Sequence, residues 1–272
     1  FDFEVRTSEL DESFPDILTD KSIALYLAEK KANHYLKTQQ NEFGQNVGFS
    51  LKHNLSIQPI SGTLKGQYIN LIDVAEGLSE QAASSIWDCV VTEPSEECWT
   101  YLPYSAPQSQ IALKNNLQNL FGFKDSTHFL IEVDGEVQGW IALLNPRLGH
   151  AVIEIGNVYF SHKMKKSKAA TEAIFLLLKQ CFKYGFRRVE WKCDDANAPS
   201  KAAALRFGFQ YEGLFRQDRI VKGRNRNTAW FSIIDEEWSD LESAYQQWLS
   251  PENFDAKGIQ KLRLNDIYIL KD

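Results

Sequence analysis

At 272 residues, 43% hydrophobic and 24% charged, the chain has the composition of a soluble globular protein, one large domain or a domain with extensions. Its formal charge of −6 argues against wholesale nucleic-acid binding, and its longest apolar runs are far too short to span a membrane. Cys89, Cys98, Cys181 and Cys193 show no metal-ligand spacing and nothing resembles a signal peptide, so a cytoplasmic protein with reduced thiols, no metal and no membrane partner is expected.

In chain order, residues 1–18 are acidic, with Asp2, Glu4, Glu9, Asp11, Glu12 and Asp16 against Arg6 alone. Asp20 is placed to cap a helix over 21–37 whose apolar side carries Leu25, Ala28, Ala32, Tyr35 and Leu36. Residues 38–62 are polar and glycine-containing, as a linker is. A first strand is expected at Gln67 to Ile72 and a helix at Ser79 to Val90. An aromatic loop follows at Trp99 to Tyr104, then a helix from Ser109 to Phe121. Asp134-Gly135 joins strands at His128 to Val133 and Glu136 to Asn145 in a two-residue hairpin, and the strand at Val152 completes an antiparallel meander.

From Val152 to Lys192 the pattern is strand, basic loop, helix and returning strand, a βαβ crossover. Beyond it come a helix from Ser200 to Phe207, strands near Phe209 to Gln217 and Thr228 to Ile234, a helix from Glu236 to Leu249 and a short strand at Asp266 to Leu270. The class is α+β, a mixed, mostly antiparallel sheet of six to seven strands flanked by helices. The loop between Phe160 and Ala170 is where chemistry is expected. A helix N-terminus leaves four amides unpaired and attracts phosphate, and Lys163, Lys165, Lys166 and Lys168 add charge while Ala169 and Ala170 allow close approach. A solvated lysine loop capping an ordinary helix explains the same residues.

The order of basic loop, Ala-Ala-Thr-Glu-Ala helix, Arg-Arg-Val-Glu-Trp strand, Asn197-x-x-Ser200 and Arg206-Phe-Gly-Phe209 resembles the GCN5-related N-acetyltransferases (GNAT), nearest the RimJ/RimL-type branch. The resemblance runs from about Asn41 to the tail Ser250-Pro-Glu-Asn-Phe-Asp-Ala-Lys-Gly258. It implies a GNAT fold over 63–238, an N-terminal extension over 1–62, and a C-terminal helix and tail over 239–272. It also implies acetyl-CoA as donor and direct transfer to a primary amine, a peptide N-terminus or a small molecule. The family's signature Gln/Arg-x-x-Gly-x-Gly/Ala falls on Lys165, Lys166, Ser167, Lys168, Ala169 and Ala170, with Thr171 next. Lys168 stands where glycine is usual. The pantetheine arm is then expected along Val158 and Phe160, with Asn197 holding it from the other side.

The resemblance makes Glu154, on the strand leading to the loop, the candidate base, since it stands at the same spacing ahead of that loop as the glutamate base of GCN5-type acetyltransferases, in an apolar setting beside Val152 and Ile155 that would favour such a role. The resemblance makes Ser200 the candidate acid for the leaving thiolate, with Tyr211 the alternative. A structural glutamate and a helix-capping serine are the rival readings. Trp99, Tyr101 and Tyr104 are candidates for the acceptor pocket, against a core role. Arg216, Arg219, Lys222, Arg224 and Arg226 form a basic run, suited to acidic substrates, to CoA or simply to solvent. A non-catalytic acyl-CoA binder is the alternative function.

Overall fold

Two-residue turns set the frame of the sheet. Asp134 and Gly135 both have positive φ, as do Lys222 and Gly223, so each pair reverses the chain in the manner that suits strand twist. The first joins β3 (Thr127–Val133) to β4 (Glu136–Arg147), and the second joins β7 (Gln210–Val221) to β8 (Arg224–Ile234). The computed structural model describes residues 57, 60–75, 78–121 and 126–269. The chain divides into two units, Phe1–Asn54 and Leu55–Asp272, and the sheet belongs to the second. The helix expected over 21–37 and most of the linker expected over 38–62 lie outside the described residues.

Eight strands form one sheet in the order β1-β2-β3-β4-β5-β6-β8-β7, with β1 Leu64–Lys65, β2 Asn70–Asp73, β5 Val152–Phe160 and β6 Arg188–Asp194. The expected count of six to seven becomes eight because β1 is only two residues long, too short for any periodicity. All neighbours are antiparallel except β5 and β6, the two strands of the crossover. The second hairpin is longer than the sequence pattern suggests, running on through Arg219↔Arg226 to its Lys222-Gly223 turn. The tail differs as well. The strand expected at Asp266 to Leu270 is instead helix α6 (Leu264–Ile269). Leu264 and Ile267 are both buried, and a spacing of three residues puts them on one helical face.

Helices cover the two faces at different ends. On one face α3 (Lys168–Lys183) and α5 (Asp235–Leu249) pack on Ile153, Ile155, Val189, Trp191, Phe231 and Ile233, with α6 against α5. On the other, α1 (Glu80–Val91) and α2 (Gln110–Phe121) pack on Leu130, Val137, Trp140 and Tyr159. Alternation then places Glu154, Glu190, Lys192, Thr228, Trp230 and Ser232 on the face that α3 and α5 do not cover.

These residues include a charged network. Glu190, 3% exposed, meets Lys192 at 3.0 Å and Arg188 at 3.0 Å and is also bonded to Arg147. Burial acts to raise the Glu190 carboxyl, but Lys192, Arg188 and Arg147 outweigh it and hold the group below the usual range. Its stabilising contribution is therefore complete above the ordinary value of about 4.5 and is lost as pH falls through the lower folded value. Glu190→Gln should destabilise the protein at neutral pH and flatten the acid limb of its stability curve. Denaturant melts between pH 7 and 3 check this, and an unchanged acid limb would refute it.

Candidate active site

The site is built where β5 and β6 part. The two strands pair in parallel from Val152↔Arg188 to Ile155↔Trp191 and no further. On its other side β5 stays with β4, but between Gly156↔Ala142 and Tyr159↔Trp140 two residues of β5, Asn157 and Val158, oppose the single Ile141 of β4. Asn157, inside this bulge, has φ 46°. An extra residue bends a strand and sharpens its twist, which draws the second half of β5 away from β6. The resulting cleft has a volume of about 2160 Å³ and is lined by Val158 and Phe160 on one side and by Lys192, Cys193 and Asn197 on the other.

At the far end of β5 the chain enters the basic loop. Ser167 caps α3, its hydroxyl accepting from the Ala170 amide at 3.3 Å and donating to the Met164 carbonyl at 2.6 Å. Lys166 sits in the left-handed region at φ 60°. The amides of Met164, Lys165, Ser167 and Thr171 are taken by loop carbonyls. Among the described residues those of Lys166, Lys168 and Ala169 have no protein acceptor. A left-handed residue followed by a helix start turns successive N–H groups toward one point, a concave anion site with the helix dipole behind it.

The residues expected to hold phosphate do not all face it. Lys165, Lys166, Ser167, Lys168, Ala169 and Ala170 line the cleft. Thr171 does not; it is buried, and its hydroxyl accepts from Arg206 Nη2 at 3.0 Å. Lys168, at the position where the motif has glycine, folds its ammonium onto the Phe254 ring at 3.8 Å and lies 5.1 Å from that of Tyr68. The lysine is thereby drawn onto the tail that begins at Ser250.

Glu154 is 7% exposed and lines the cleft. Its Oε2 accepts from Asn145 Nδ2 at 2.7 Å and from Lys192 Nζ at 2.9 Å. Its Oε1 has no protein partner among the described residues, and a Cβ on Gly156 would stand 3.3 Å from it. One oxygen is clamped and the other is left facing the cleft. Across the gap Asn197 caps α4 (Ala198–Arg206), its Oδ1 accepting from the Ser200 amide at 3.1 Å. The helix thus begins two residues earlier than expected, and the cap is Asn197 rather than Ser200. The Ser200 hydroxyl accepts from Trp191 Nε1 at 3.1 Å and is also in hydrogen-bonding reach of the Cys193 thiol. Tyr211 is 53% exposed against Phe231 and does not line the cleft.

The aromatic trio divides. Trp99 and Tyr104 are core: Trp99 stacks on Tyr159 at 5.3 Å and lies 6.0 Å from Tyr104 and 6.5 Å from Trp140. Tyr101 lines the cleft, with its hydroxyl donating to the Ala196 carbonyl at 2.8 Å. Sequence reasoning passes over Glu93, whose side chain is 4% exposed and accepts from Tyr159 Oη at 3.0 Å, the His162 amide at 2.8 Å and Lys165 Nζ at 3.4 Å. It ties the start of the basic loop to the body of the protein. Burial raises the Cys193 and Cys98 thiols, both on the cleft wall, and lowers the His128 imidazole to about 4.

A family model described as the acetyltransferase (GNAT) family matches residues 91–209. A GCN5-related N-acetyltransferase from Brucella melitensis is 36% identical, over 80% of this chain and 100% of that one, with a TM-score of 0.76. The chain belongs to the GNAT acetyltransferase family. A GNAT-family structure from Chromobacterium violaceum ATCC 12472 is 31% identical over 71% of this chain and 96% of its own, with a TM-score of 0.64. An acetyltransferase from Salmonella typhimurium that modifies the N-terminal serine of ribosomal protein L7/L12 is 18% identical over 62% of this chain and 96% of that one, at TM-score 0.51. That last likeness is one of fold. A search of curated proteins returned no match.

GNAT acetyltransferases use acetyl-CoA as donor. The cleft suits it: unpartnered amides at the start of α3 for the diphosphate, and the parted edges of β5 and β6 for the pantetheine arm. Among the described residues no cluster of His, Cys, Asp or Glu could hold a metal ion, and no helix is long and apolar enough to cross a membrane. All four cysteines are free thiols.

Proposed function

We propose that this GNAT protein is a cytoplasmic N-acetyltransferase of the RimJ/RimL-like branch, moving the acetyl group of acetyl-CoA to a primary amine, a peptide N-terminus or a small molecule. The catalytic domain runs over 63–238, with extensions at 1–62 and 239–272. The observation that carries the reading is the set of free amides at Lys166, Lys168 and Ala169 opening onto the gap between β5 and β6. Those amides, with Lys165 and Lys166, bind the diphosphate, and Ser167, Ala170 and Thr171 shape the turn that presents them. Val158, Phe160 and the free Nδ2 of Asn197 align the pantetheine arm. The donor supplies an activated thioester. Glu154 Oε1 takes the proton of the attacking amine, and Ser200 gives its proton to the departing sulfur. Tyr101 forms the acceptor wall, with Trp99 and Tyr104 supporting it from the core.

Direct attack is favoured over a cysteine-bound acyl group because burial keeps Cys193 and Cys98 in the thiol form. Membership of a transferase family favours turnover over a purely binding role. Calorimetric titration with acetyl-CoA, followed by detection of released thiol over a panel of amines, tests the reading. Lys165→Gln combined with Lys166→Gln should weaken CoA binding by about tenfold or more and flatten its salt dependence, two charges being removed from the diphosphate site. CoA binding that ignores both substitutions, or no binding at millimolar acetyl-CoA, would sink it.

A further inference from the structure

The cleft has a feature that acetyl transfer alone does not use. Arg226 and Thr228 follow one another on the same face of β8, with Trp230 next in line. All three carry a buried polar side-chain atom without a hydrogen-bond partner among the described residues: Arg226 Nε, Thr228 Oγ1 and Trp230 Nε1. Burying such groups unpaired is costly, and a fold keeps them where something else completes them. Arg226 and Thr228 line the cleft, on the sheet face that also carries Glu154 and Lys192.

The neighbouring charges are already committed. Lys192 is held by Glu154 at 2.9 Å and Glu190 at 3.0 Å. Arg219 faces Asp218 at 3.6 Å, and Lys222 donates to the carbonyls of Trp99 at 2.8 Å and Thr100 at 3.4 Å. Asp194 Oδ1 accepts from the Ala196 amide at 2.9 Å. Arg226 forms no ion pair among the described residues. A guanidinium with a hydroxyl two residues on is a donor set for a carboxylate.

We infer that Arg226 and Thr228 read a carboxylate on the acceptor, so that the substrate is an amine that also bears an anion rather than a polyamine. The inference rests on the N-acetyltransferase reading above. The carboxylate comes either from a free amino acid or from an acidic residue next to a peptide N-terminus.

Initial rates with acetyl-CoA are measured for alanine against alaninamide, and for a dipeptide amide with glutamate second against its glutamine counterpart. The carboxylate member of at least one pair should lead by about tenfold or more in kcat/KM, the difference lying in KM, as expected for one charge-assisted pair. The pair that shows it identifies the source. Arg226→Gln should abolish the preference with little change in kcat, and Arg226→Lys should restore part of it. Arg216→Gln, which removes an exposed charge that does not line the cleft, should leave the preference intact. Equal KM values within both pairs, a lead for spermidine, or a preference that survives Arg226→Gln would overturn the inference. Should no amine turn over, the transferase reading is at fault. Calorimetric titration of the CoA-loaded protein with the same four compounds then decides the carboxylate site by itself: a preference lost in Arg226→Gln supports it, and equal or absent heats reject it.

Discussion

Glu154→Gln should lower kcat for amine acetylation at pH 7 by about a hundredfold or more, with the Kd for acetyl-CoA within about twofold of wild type. The substitution keeps the shape of the side chain, and an amide oxygen can still accept from Asn145 and Lys192, which now hold Oε2 at 2.7 and 2.9 Å. What disappears is the basic oxygen facing the cleft. At pH 7 an α-amine is about one-tenth neutral, whereas a lysine-type amine is neutral in fewer than about one molecule in a thousand. The deficit should therefore be larger for the lysine-type amine. In the variant the rate should climb about tenfold per pH unit until the pKa of the amine is reached, because the solvent then does what the carboxylate did. Lys192 retains Glu190 at 3.0 Å in this variant, so the fold should hold, which a thermal melt verifies. A variant that matches wild type at pH 7 on both amines would reduce Glu154 to half of an ion pair.

The crossover and its loop are legible in the sequence because their determinants are local. Ser167 caps α3 through the amide three residues on, and the β-branched and aromatic run of β5 needs no distant partner to be recognised. The Asp134-Gly135 turn announces its hairpin in the same way, while Lys222-Gly223 makes the same turn with a residue that rarely signals it. The unreadable parts depend on contacts made far along the chain. Trp99 and Tyr104 are drawn into the core by Trp140 and Tyr159, whereas Tyr101, between them, faces the cleft; composition alone cannot divide the three. The tail reads as a strand because Ile267, Tyr268 and Ile269 favour one, yet burying Leu264 with Ile267 outweighs that preference. Glu93 meets His162 at a separation of 69 residues, and no local pattern marks such a pairing. One signal was available: Glu172 is the lone charge between Ala169 and Phe175, a stretch otherwise made of Ala, Thr, Ile and Phe.

Glu172→Ala should destabilise the protein by about 3–5 kcal/mol, an effect large enough to threaten folding at 37 °C. The carboxylate is 4% exposed and forms no ion pair among the described residues; its partners are backbone amides instead. Oε1 accepts from Gln67 at 2.7 Å, and Oε2 from Tyr68 at 2.7 Å and Ile69 at 3.0 Å, more than 100 residues earlier in the chain. Each amide orphaned in the interior costs about 1–3 kcal/mol, and the part-buried pair at Gln67 and Tyr68 recovers some of that from water. Glu172→Gln keeps one acceptor oxygen and should cost about half as much. Gly66 belongs to the same device, since a Cβ there would come within 2.6 Å of the Glu172 carboxyl, and Gly66→Ala should destabilise by forcing the two apart. Urea unfolding of the three variants separates these terms. A cost below about 1 kcal/mol for Glu172→Ala would mean that the 66–69 loop finds water as readily as it finds the helix. The consequence reaches the cofactor end of the cleft, because Tyr68 is one of the two rings beside the Lys168 ammonium. Loosening the 66–69 loop should therefore weaken CoA binding as well as the fold, whereas Gln at 172, which retains part of the anchor, should leave binding closer to wild type.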